Sequence, residues 1–291
     1  LRRQRQMCIR DSDRDSEVRA VCEASDVVIA VVGLDATLEG EEGDTGNEYG
    51  SGDKPNLNLP GLQPDIIRIA KESGKPVIVV LLAGSAMALS WEDEHVDAIL
   101  DGFYPGAQGG AAIAEILFGG ANPEGKLPIT FYQTTEELPE FTDYAMKGRT
   151  YRYMENEALY PFGYGLSYTT YAYGNLECVK PFDAQDGITL QVTVTNTGDR
   201  EGTETLQVYV KAKREGTPNP QLKYVKKITL KPGESVTEEI HLSPEAFMLY
   251  DEKGNFTLEK GAYDIFVGGC QPDARSAALT GNAPQKLTVT Y

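Results

Sequence analysis

The chain has 291 residues, 41% of them hydrophobic, and its 27 basic and 44 acidic residues give a net charge of −17. This length allows about two domains of roughly 150 residues each, and the excess of acids argues against nucleic acid as a partner, because phosphates are bound by Lys and Arg. The longest apolar run, residues 77–83, is strand-sized and well below the ~18 to 20 residues needed to cross a bilayer, so no membrane partner is expected.

The cysteines and the first residues carry little functional signal. The four cysteines are far apart and form no CxxC pair, which predicts isolated thiols and no metal or cofactor site: Cys8, Cys22, Cys178 and Cys270. The first dozen residues are basic, lack the apolar segment of a secretory signal, and differ from the acidic remainder. We interpret residues 1–12 as a non-native leader and expect the chain to begin inside a domain.

Residues 13–117 alternate between helical and strand patterns. Helices are expected at residues 16–25, 62–73, 85–95 and 108–118, and strands at residues 27–33, 77–82 and 98–103. The strand patterns are continuous runs of apolar residues, which are typical of parallel strands buried on both faces. Repeated strand–helix units predict an α/β domain with a parallel sheet covered by helices on both faces, that is, an αβα sandwich.

The second half has a different pattern. Residues 119–160 form an irregular connection rich in proline, and short alternating strands follow from residue 187, at residues 188–195, 205–210, 226–230, 236–242, 262–267 and 286–290. Such strands, separated by Gly and Pro turns, predict an all-β sandwich of fibronectin III type, since the Cys-Trp-Cys spacing of immunoglobulins is missing. We expect an αβα sandwich domain at 13–135, truncated at its N-terminus, an interdomain strap at 136–174 and a fibronectin III-like domain at 175–291.

The most unusual segment is an acidic loop, residues 33–60, that follows the first predicted strand. Parallel sheets bind ligands beyond the carboxyl ends of their strands. This loop has one cation, Lys54, and its acids include Glu39, Glu41, Glu42, Asp44, Glu48 and Asp53. If the loop folds down onto other structure, crowding of like charges is expected to raise the pKa of at least one acid, and an acid that is protonated near neutral pH is suited to general acid catalysis. From spacing alone, a solvated loop with ordinary pKa values is the more common outcome.

Other patterns favour structural roles. Residues 251–255 faintly resemble a calcium loop, but Ala262 stands where the bidentate Glu belongs, which favours a turn. The two histidines, His95 and His241, lie in different halves and suggest no Ser-His-Asp arrangement. Several aromatic residues could stack on sugar rings, although such density more often packs an interface: Trp91, Tyr144, Tyr151, Tyr153, Tyr160 and Tyr164.

Long motifs resemble glycoside hydrolase family 3. The acidic loop through Gln63 is similar to the acid loop of that family, residues 105–131 match its PGxxGGxAIAxxLFGxxNPxGKLPxTF stretch, and residues 148–169 match its GRTYRY…LYPFGYGLSYT stretch. The resemblance extends into the second half through residues 194–198, 230–234 and 268–273, which fit the fibronectin III-like domain of the family.

The resemblance implies a retaining β-glycosidase. Such enzymes use two carboxylates, a nucleophile and an acid/base, and in this family the nucleophilic Asp belongs to an N-terminal barrel. We therefore expect no nucleophile in this chain, and the missing barrel of the same polypeptide is its expected partner. Alignment on the start of the loop assigns the acid/base role to Glu41, with Glu42 and Glu39 as alternates. Asp53 and Lys54 are expected to bind substrate, although the family usually has Arg after the Asp, and Lys lacks the planar fork of Arg.

The expected reaction is hydrolysis of terminal β-linked xylose or glucose from oligosaccharides or aryl glycosides, with a slight preference for xylose. The fragment is expected to be inactive alone. The alternative is a non-catalytic carbohydrate-binding or adhesion protein with a fibronectin-like module, in which nothing depends on Glu41. The sequence leaves the oligomeric state and the compartment open, cytoplasmic or secreted.

Overall fold

The computed structural model describes residues 14–35 and 54–291. The chain divides into two compact units, the first formed by residues 1–114 and 132–137 and the second by residues 115–131 and 138–291. This division differs from the domain limits expected at residues 135 and 174, which stay predictions.

The first unit contains a parallel three-stranded sheet. Strands β1 (Val28–Gly33), β2 (Val77–Leu82) and β3 (Ala98–Asp101) lie in the order β1-β2-β3. The β-branched and aliphatic runs of β1 and β2 pair residue by residue along their whole length. The predicted parallel sheet is confirmed.

Four helices accompany this sheet in the chain: α1 (Arg14–Glu23), α2 (Gln63–Glu72), α3 (Ser90–His95) and α4 (Gly109–Leu117). Helix α2 packs against β1 and β2 and buries Ile67 and Ala70 completely. Cys22 of α1 joins Ala70 and Val77 in a small buried cluster. Burial of the apolar face of α2 therefore holds this helix against β1 and β2.

The predicted burial of β1 on both faces is wrong for the described part of the chain. Ala30 and Val32 are buried, but Ile29 is 44% and Val31 is 61% exposed. Strand β1 lies at an edge of the described sheet, so these two side chains have less covering structure than those of the central strand β2. Strand β3 ends before the predicted residue 103, because Phe103 has a φ of 49°, which interrupts the extended backbone.

The second unit contains two antiparallel sheets. One has the order β4-β5-β8 and the other β12-β11-β6-β7. Buried aliphatic residues from alternating positions of both sheets form one core, as expected for a β-sandwich. The strands are β4 (Tyr171–Asp183), β5 (Gly187–Asn196), β6 (Gly202–Ala212), β7 (Gln221–Leu230), β8 (Ser235–Leu242), β11 (Ala262–Gly268) and β12 (Gln285–Thr290).

Short elements complete this unit. Helix α5 (Thr150–Tyr153) precedes β4, and helix α6 (Ala274–Thr280) lies between β11 and β12 in the chain. Strand β9 (Leu249–Tyr250) pairs with β10 (Phe256–Thr257). The turn between β9 and β10 is organised by Asp251, whose carboxylate accepts hydrogen bonds from the backbone nitrogens of Lys253 and Asn255, each at 2.8 Å. Residues 251–255 thus form the expected turn.

The two long motifs of the middle region pair with each other inside the second unit. Phe131 forms an antiparallel bridge with Tyr160. The backbone nitrogen of Leu127 donates to the carbonyl of Tyr164, and the nitrogen of Gly163 donates to the carbonyl of Leu127, both at 2.8 Å. The amide of Gln207 on β6 donates to the carbonyl of Gly163 at 2.9 Å. These motifs therefore have a structural role, which is to attach the connecting segment to the sandwich.

No helix among the described residues is both long enough and apolar enough to cross a membrane.

Candidate functional site

The carboxyl ends of the three parallel strands meet at one edge of the first unit. Gly33 at the end of β1 pairs with Leu82 at the end of β2, and Leu81 pairs with Asp101 at the end of β3. Ligands of open α/β sheets bind beyond this edge. It is therefore the candidate active-site edge of the described chain, and the acidic loop departs from it.

The departure point of the acidic loop is fixed by Gly33 and Gln63. The Oε1 atom of Gln63 accepts a hydrogen bond from the backbone nitrogen of Gly33 at 2.8 Å, and its Nε2 donates to the Gly33 carbonyl at 2.9 Å. A Cβ atom at Gly33 would lie 2.0 Å from the Leu82 carbonyl oxygen, and the φ of Gly33 is +138°. The position therefore requires glycine, since L side chains rarely adopt this φ.

The loop returns along the segment that follows β2. The Lys54 ammonium lies 3.1 Å from the Met87 sulfur. The nitrogen of Leu57 donates to Thr135 Oγ1 at 3.0 Å, and the nitrogen of Ala88 donates to the Leu57 carbonyl at 2.8 Å. Leu59 is buried. Both described ends of the loop are thus anchored to segments that follow strands of the same sheet.

A half-buried carboxyl group lies at the end of β3. Asp101 Oδ1 accepts a hydrogen bond from the backbone nitrogen of Phe103 at 3.0 Å, whereas Asp101 Oδ2 is buried without a hydrogen-bond partner. Burial raises the pKa of Asp101, and the bond from Phe103 opposes this only in part. Because burial disfavours the charged form of a carboxyl, Asp101 is a candidate proton-holding group at this edge.

Most of the predicted site residues lie outside the described residues: Glu41, Glu42, Glu39 and Asp53. Lys54 is described, and its contact with Met87 places it on the segment that follows β2. Gln63 belongs to the family-like motif, but no sequence pattern indicates its role, and no motif marks Asp101. The only signal for Asp101 was its position as the last residue of a strand at the carboxyl edge.

Three other sequence candidates have structural contacts, whereas Tyr144 is 91% exposed. Trp91 stacks on His95 with ring centroids 4.3 Å apart, and the Nδ1 atom of His95 lies 2.7 Å from the Trp91 carbonyl. Tyr151 stacks on Phe162 at 4.2 Å. Among residues 14–35 and 54–291, no group of three or more His, Cys, Asp or Glu side chains could hold a metal ion.

The sequence matches two known domains. Residues 5–168 match the glycosyl hydrolase family 3 C-terminal domain, which is more than half of the chain. The chain belongs to glycoside hydrolase family 3. Residues 204–271 match a fibronectin type III-like domain, in agreement with the sandwich of the second unit.

Curated relatives and solved structures of this family resemble the chain over most of its length. It is 41% identical over 258 residues to a xylan 1,4-β-xylosidase from Xylanibacter ruminicola, covering 87% of this chain and 30% of that protein. It is 38% identical over 269 residues to a periplasmic β-glucosidase from Salmonella typhimurium, covering 87% of this chain and 34% of that protein. The structure of a β-glucosidase from Erythrobacter marinus superposes on this chain with a TM-score of 0.81 and 32% identity. The match covers 97% of this chain and 36% of the β-glucosidase. The family 3 chain thus spans about a third of the length of these relatives.

Proposed function

We propose that the protein is a retaining β-glycosidase in which this chain supplies the general acid/base, Glu41, with Glu42 and Glu39 as alternates. The observation that carries this proposal is the anchoring of the acidic loop at the carboxyl edge of the sheet. The Gln63 side chain fixes where the loop leaves β1, and the bonds made by Leu57 fix where it returns. An acid borne on a loop with two fixed ends can be presented to a substrate in a defined direction.

The proposed reaction has two steps. In the first, a nucleophilic carboxylate outside this chain attacks the anomeric carbon while Glu41 gives its proton to the leaving glycosidic oxygen. In the second, the glycosyl–enzyme bond is hydrolysed as Glu41 takes a proton from the attacking water. Glu41 must therefore be protonated when the substrate binds, and crowding by Glu39, Glu42 and Asp44 favours that state.

The proposed substrate is an oligosaccharide or aryl glycoside with a terminal β-linked xylose or glucose. Relatives carry the names xylan 1,4-β-xylosidase and periplasmic β-glucosidase, and we favour xylose because the xylosidase has the higher identity of these two. Xylose and glucose differ by one hydroxymethyl group, so a single pocket can be adapted to either. Asp53 and Lys54 are proposed to bind sugar hydroxyls.

The test uses the complete enzyme and three matched substitutions: Glu41→Gln, Glu42→Gln and Glu39→Gln. Loss of the general acid is expected to lower kcat/KM by about 10² to 10⁴-fold with a poor alkyl leaving group. The loss should be smaller with an activated aryl leaving group, which needs no proton. Azide should restore turnover of Glu41→Ala through formation of a glycosyl azide.

The outcomes separate the candidates. If Glu42→Gln or Glu39→Gln gives the leaving-group dependence and Glu41→Gln does not, the role belongs to that alternate. If all three variants keep full activity with the poor leaving group, the proposal is wrong, and the non-catalytic alternative gains support.

A further inference from the structure

The second unit contains a cleft of about 330 Å³ whose walls are all formed by that unit. One wall is the segment that follows α5, residues 154–158, and the opposite wall comes from the sandwich, through residues 219–220 and 271–275. The volume lies at the lower end of the range for small-molecule sites, about 300 to 1,000 Å³. The cleft can therefore hold one small ring-shaped ligand.

Two residues that line this cleft each have a buried side-chain oxygen without a hydrogen-bond partner. Thr130 is 7% exposed, and its Oγ1 atom is buried and unpaired, as is the Oε1 atom of Gln271. A buried polar atom left without a partner destabilises the structure that contains it. A small rotation of either side chain toward a bound hydroxyl group would supply that partner. The walls thus favour a ligand with hydrogen-bond donors.

The charges in the walls identify the class of ligand. Three carboxylates and one guanidinium line the cleft: Glu155, Glu157, Asp273 and Arg275. The excess of carboxylates disfavours an anion. The Arg275 guanidinium disfavours a cation, and the Tyr151 ring is already engaged, because it stacks on Phe162 and the Arg152 guanidinium lies 5.9 Å from its centroid.

A neutral polyhydroxylated ring fits both the polar and the apolar parts of the walls. Its hydroxyl groups can donate to carboxylate, amide and threonine oxygens and can accept from Arg275. Three prolines contribute apolar ring surfaces that suit the C–H face of a sugar: Pro161, Pro220 and Pro272.

We propose that this cleft is a binding site for a single pyranose ring of a neutral sugar. The contacts that define it are the unpaired oxygens of Thr130 and Gln271 and the Arg275 guanidinium. The site lies entirely within the second unit and is independent of the role proposed for Glu41. It would give the protein a means of holding a sugar chain through the unit that carries the fibronectin III-like domain.

The experiment titrates the 291-residue chain with methyl β-D-xylopyranoside, methyl β-D-glucopyranoside and, as the cationic alternative, spermidine. Binding is followed by NMR through the side-chain amide signals of Gln271, Asn156 and Asn219, which line the cleft. We expect at least one pyranoside to shift these signals with a dissociation constant in the millimolar range, and spermidine to leave them unchanged.

The variants are Thr130→Val and Gln271→Met, with Thr237→Val at an exposed position of β8 as the matched control. Loss of one hydrogen bond to the ligand should weaken pyranoside binding by about two- to tenfold. Without sugar, Thr130→Val should be at least as stable as the native chain, because it removes an unpaired buried oxygen. A merely structural threonine would lower stability and leave the affinity unchanged. If one of these two variants does not fold, the affinity of the other for the pyranoside still tests the proposal.

Four results would overturn the proposal. They are no shift with either pyranoside, shifts produced by spermidine alone, shifts confined to residues outside the cleft, and native affinity in both variants. None of these depends on the activity of the complete enzyme, so failure of this site and failure of the proposed hydrolase function can be told apart.

Discussion

The side-chain amide of Gln63 engages both backbone polar groups of Gly33, accepting from its nitrogen at 2.8 Å and donating to its carbonyl at 2.9 Å. Gln63 is the first residue of α2, and Gly33 is the last residue of β1. One side chain therefore joins a helix start to a strand end at the point where the acidic loop begins. The amide of Gln63 both accepts and donates here, whereas an ionised Glu cannot donate and Leu can do neither, so neither residue can replace it at neutral pH.

Gln63→Leu should lower the free energy of unfolding of the first unit by about 1 to 3 kcal/mol, since the polar groups of Gly33 lose their partners. Urea unfolding measured by the fluorescence of Trp91 tests this, because the chain has a single tryptophan and it lies in the first unit. Gln108→Leu is the control: Gln108 also stands at a helix start, and its side chain is exposed. Equal stability of the two variants would contradict the role given to Gln63.

Gly33→Ala should lower the free energy of unfolding by about 2 to 4 kcal/mol, because the new Cβ meets backbone atoms that cannot move aside. The matched control is Gly74→Ala. Gly74 also has a positive φ, +74°, but no atom lies within 4 Å of a Cβ built there. The control carries only the backbone strain, about 1 kcal/mol. If both variants unfold at the same urea concentration, the contact with Leu82 is not the cause.

Asp101→Asn should change how stability depends on pH. Burial raises the pKa of Asp101 in the folded state, so the folded chain binds this proton more tightly than the unfolded chain, whose aspartates have pKa values of about 3.9. Stability is therefore lost as pH rises from about 3.9 through the folded pKa. The variant has no such titration, and its stability relative to the native chain should increase as the pH rises above about 4 and through the raised pKa of the folded state.

Trp91 fluorescence during urea unfolding at several pH values tests this expectation. Asp199→Asn, at an exposed position of the second unit, is the control and should follow the native pH dependence. A constant difference between Asp101→Asn and the native chain across this pH range would contradict the raised pKa.

Lys126→Met should destabilise the second unit strongly. Lys126 Nζ lies 3.5 Å from Glu204 Oε1, with the two side chains 16% and 7% exposed. Burial raises the pKa of Glu204, and Lys126 opposes that rise. Removal of one partner of a buried ion pair leaves an uncompensated charge, and the expected loss is about 3 to 5 kcal/mol near neutral pH.

The loss in Lys126→Met should shrink at acidic pH, where protonated Glu204 carries no charge, and Glu204→Gln should recover part of it. Lys227→Met is the control, because Lys227 pairs with Glu124 at 3.8 Å and is 64% exposed. Exposed pairs contribute about 0 to 1 kcal/mol. Circular dichroism during urea unfolding distinguishes the two, and similar losses would argue against a special role for burial.

Strands with clear hydrophobic patterns could be predicted from sequence. Strand β2 has the predicted limits, Val77–Leu82, because its aliphatic run is flanked by Lys75-Pro76 and Gly84. The sandwich strand β5 alternates buried and partly exposed residues from Ile188 onward, and the sequence shows that alternation directly.

Strand β4, Tyr171–Asp183, was missed. Most of its residues are exposed, it contains Pro181, and its pairing with β5 is interrupted by register shifts after Gly174 and after Cys178. An edge strand with bulges has no regular alternation of buried residues, and sequence patterns detect strands through that alternation. Its pairing with β5 was therefore visible only in the folded structure.

The sequence by itself determined the family, the two fold classes and the segment that carries the acids, because these depend on local periodicity and on motifs continuous in the chain. The tertiary structure alone showed that Gln63 holds Gly33, that Asp101 has a buried unpaired oxygen, and that Thr130 and Gln271 line one cleft. Each of these relationships joins residues far apart in the chain or depends on burial from water. Contacts of that kind are set by packing, on which local sequence patterns carry little information.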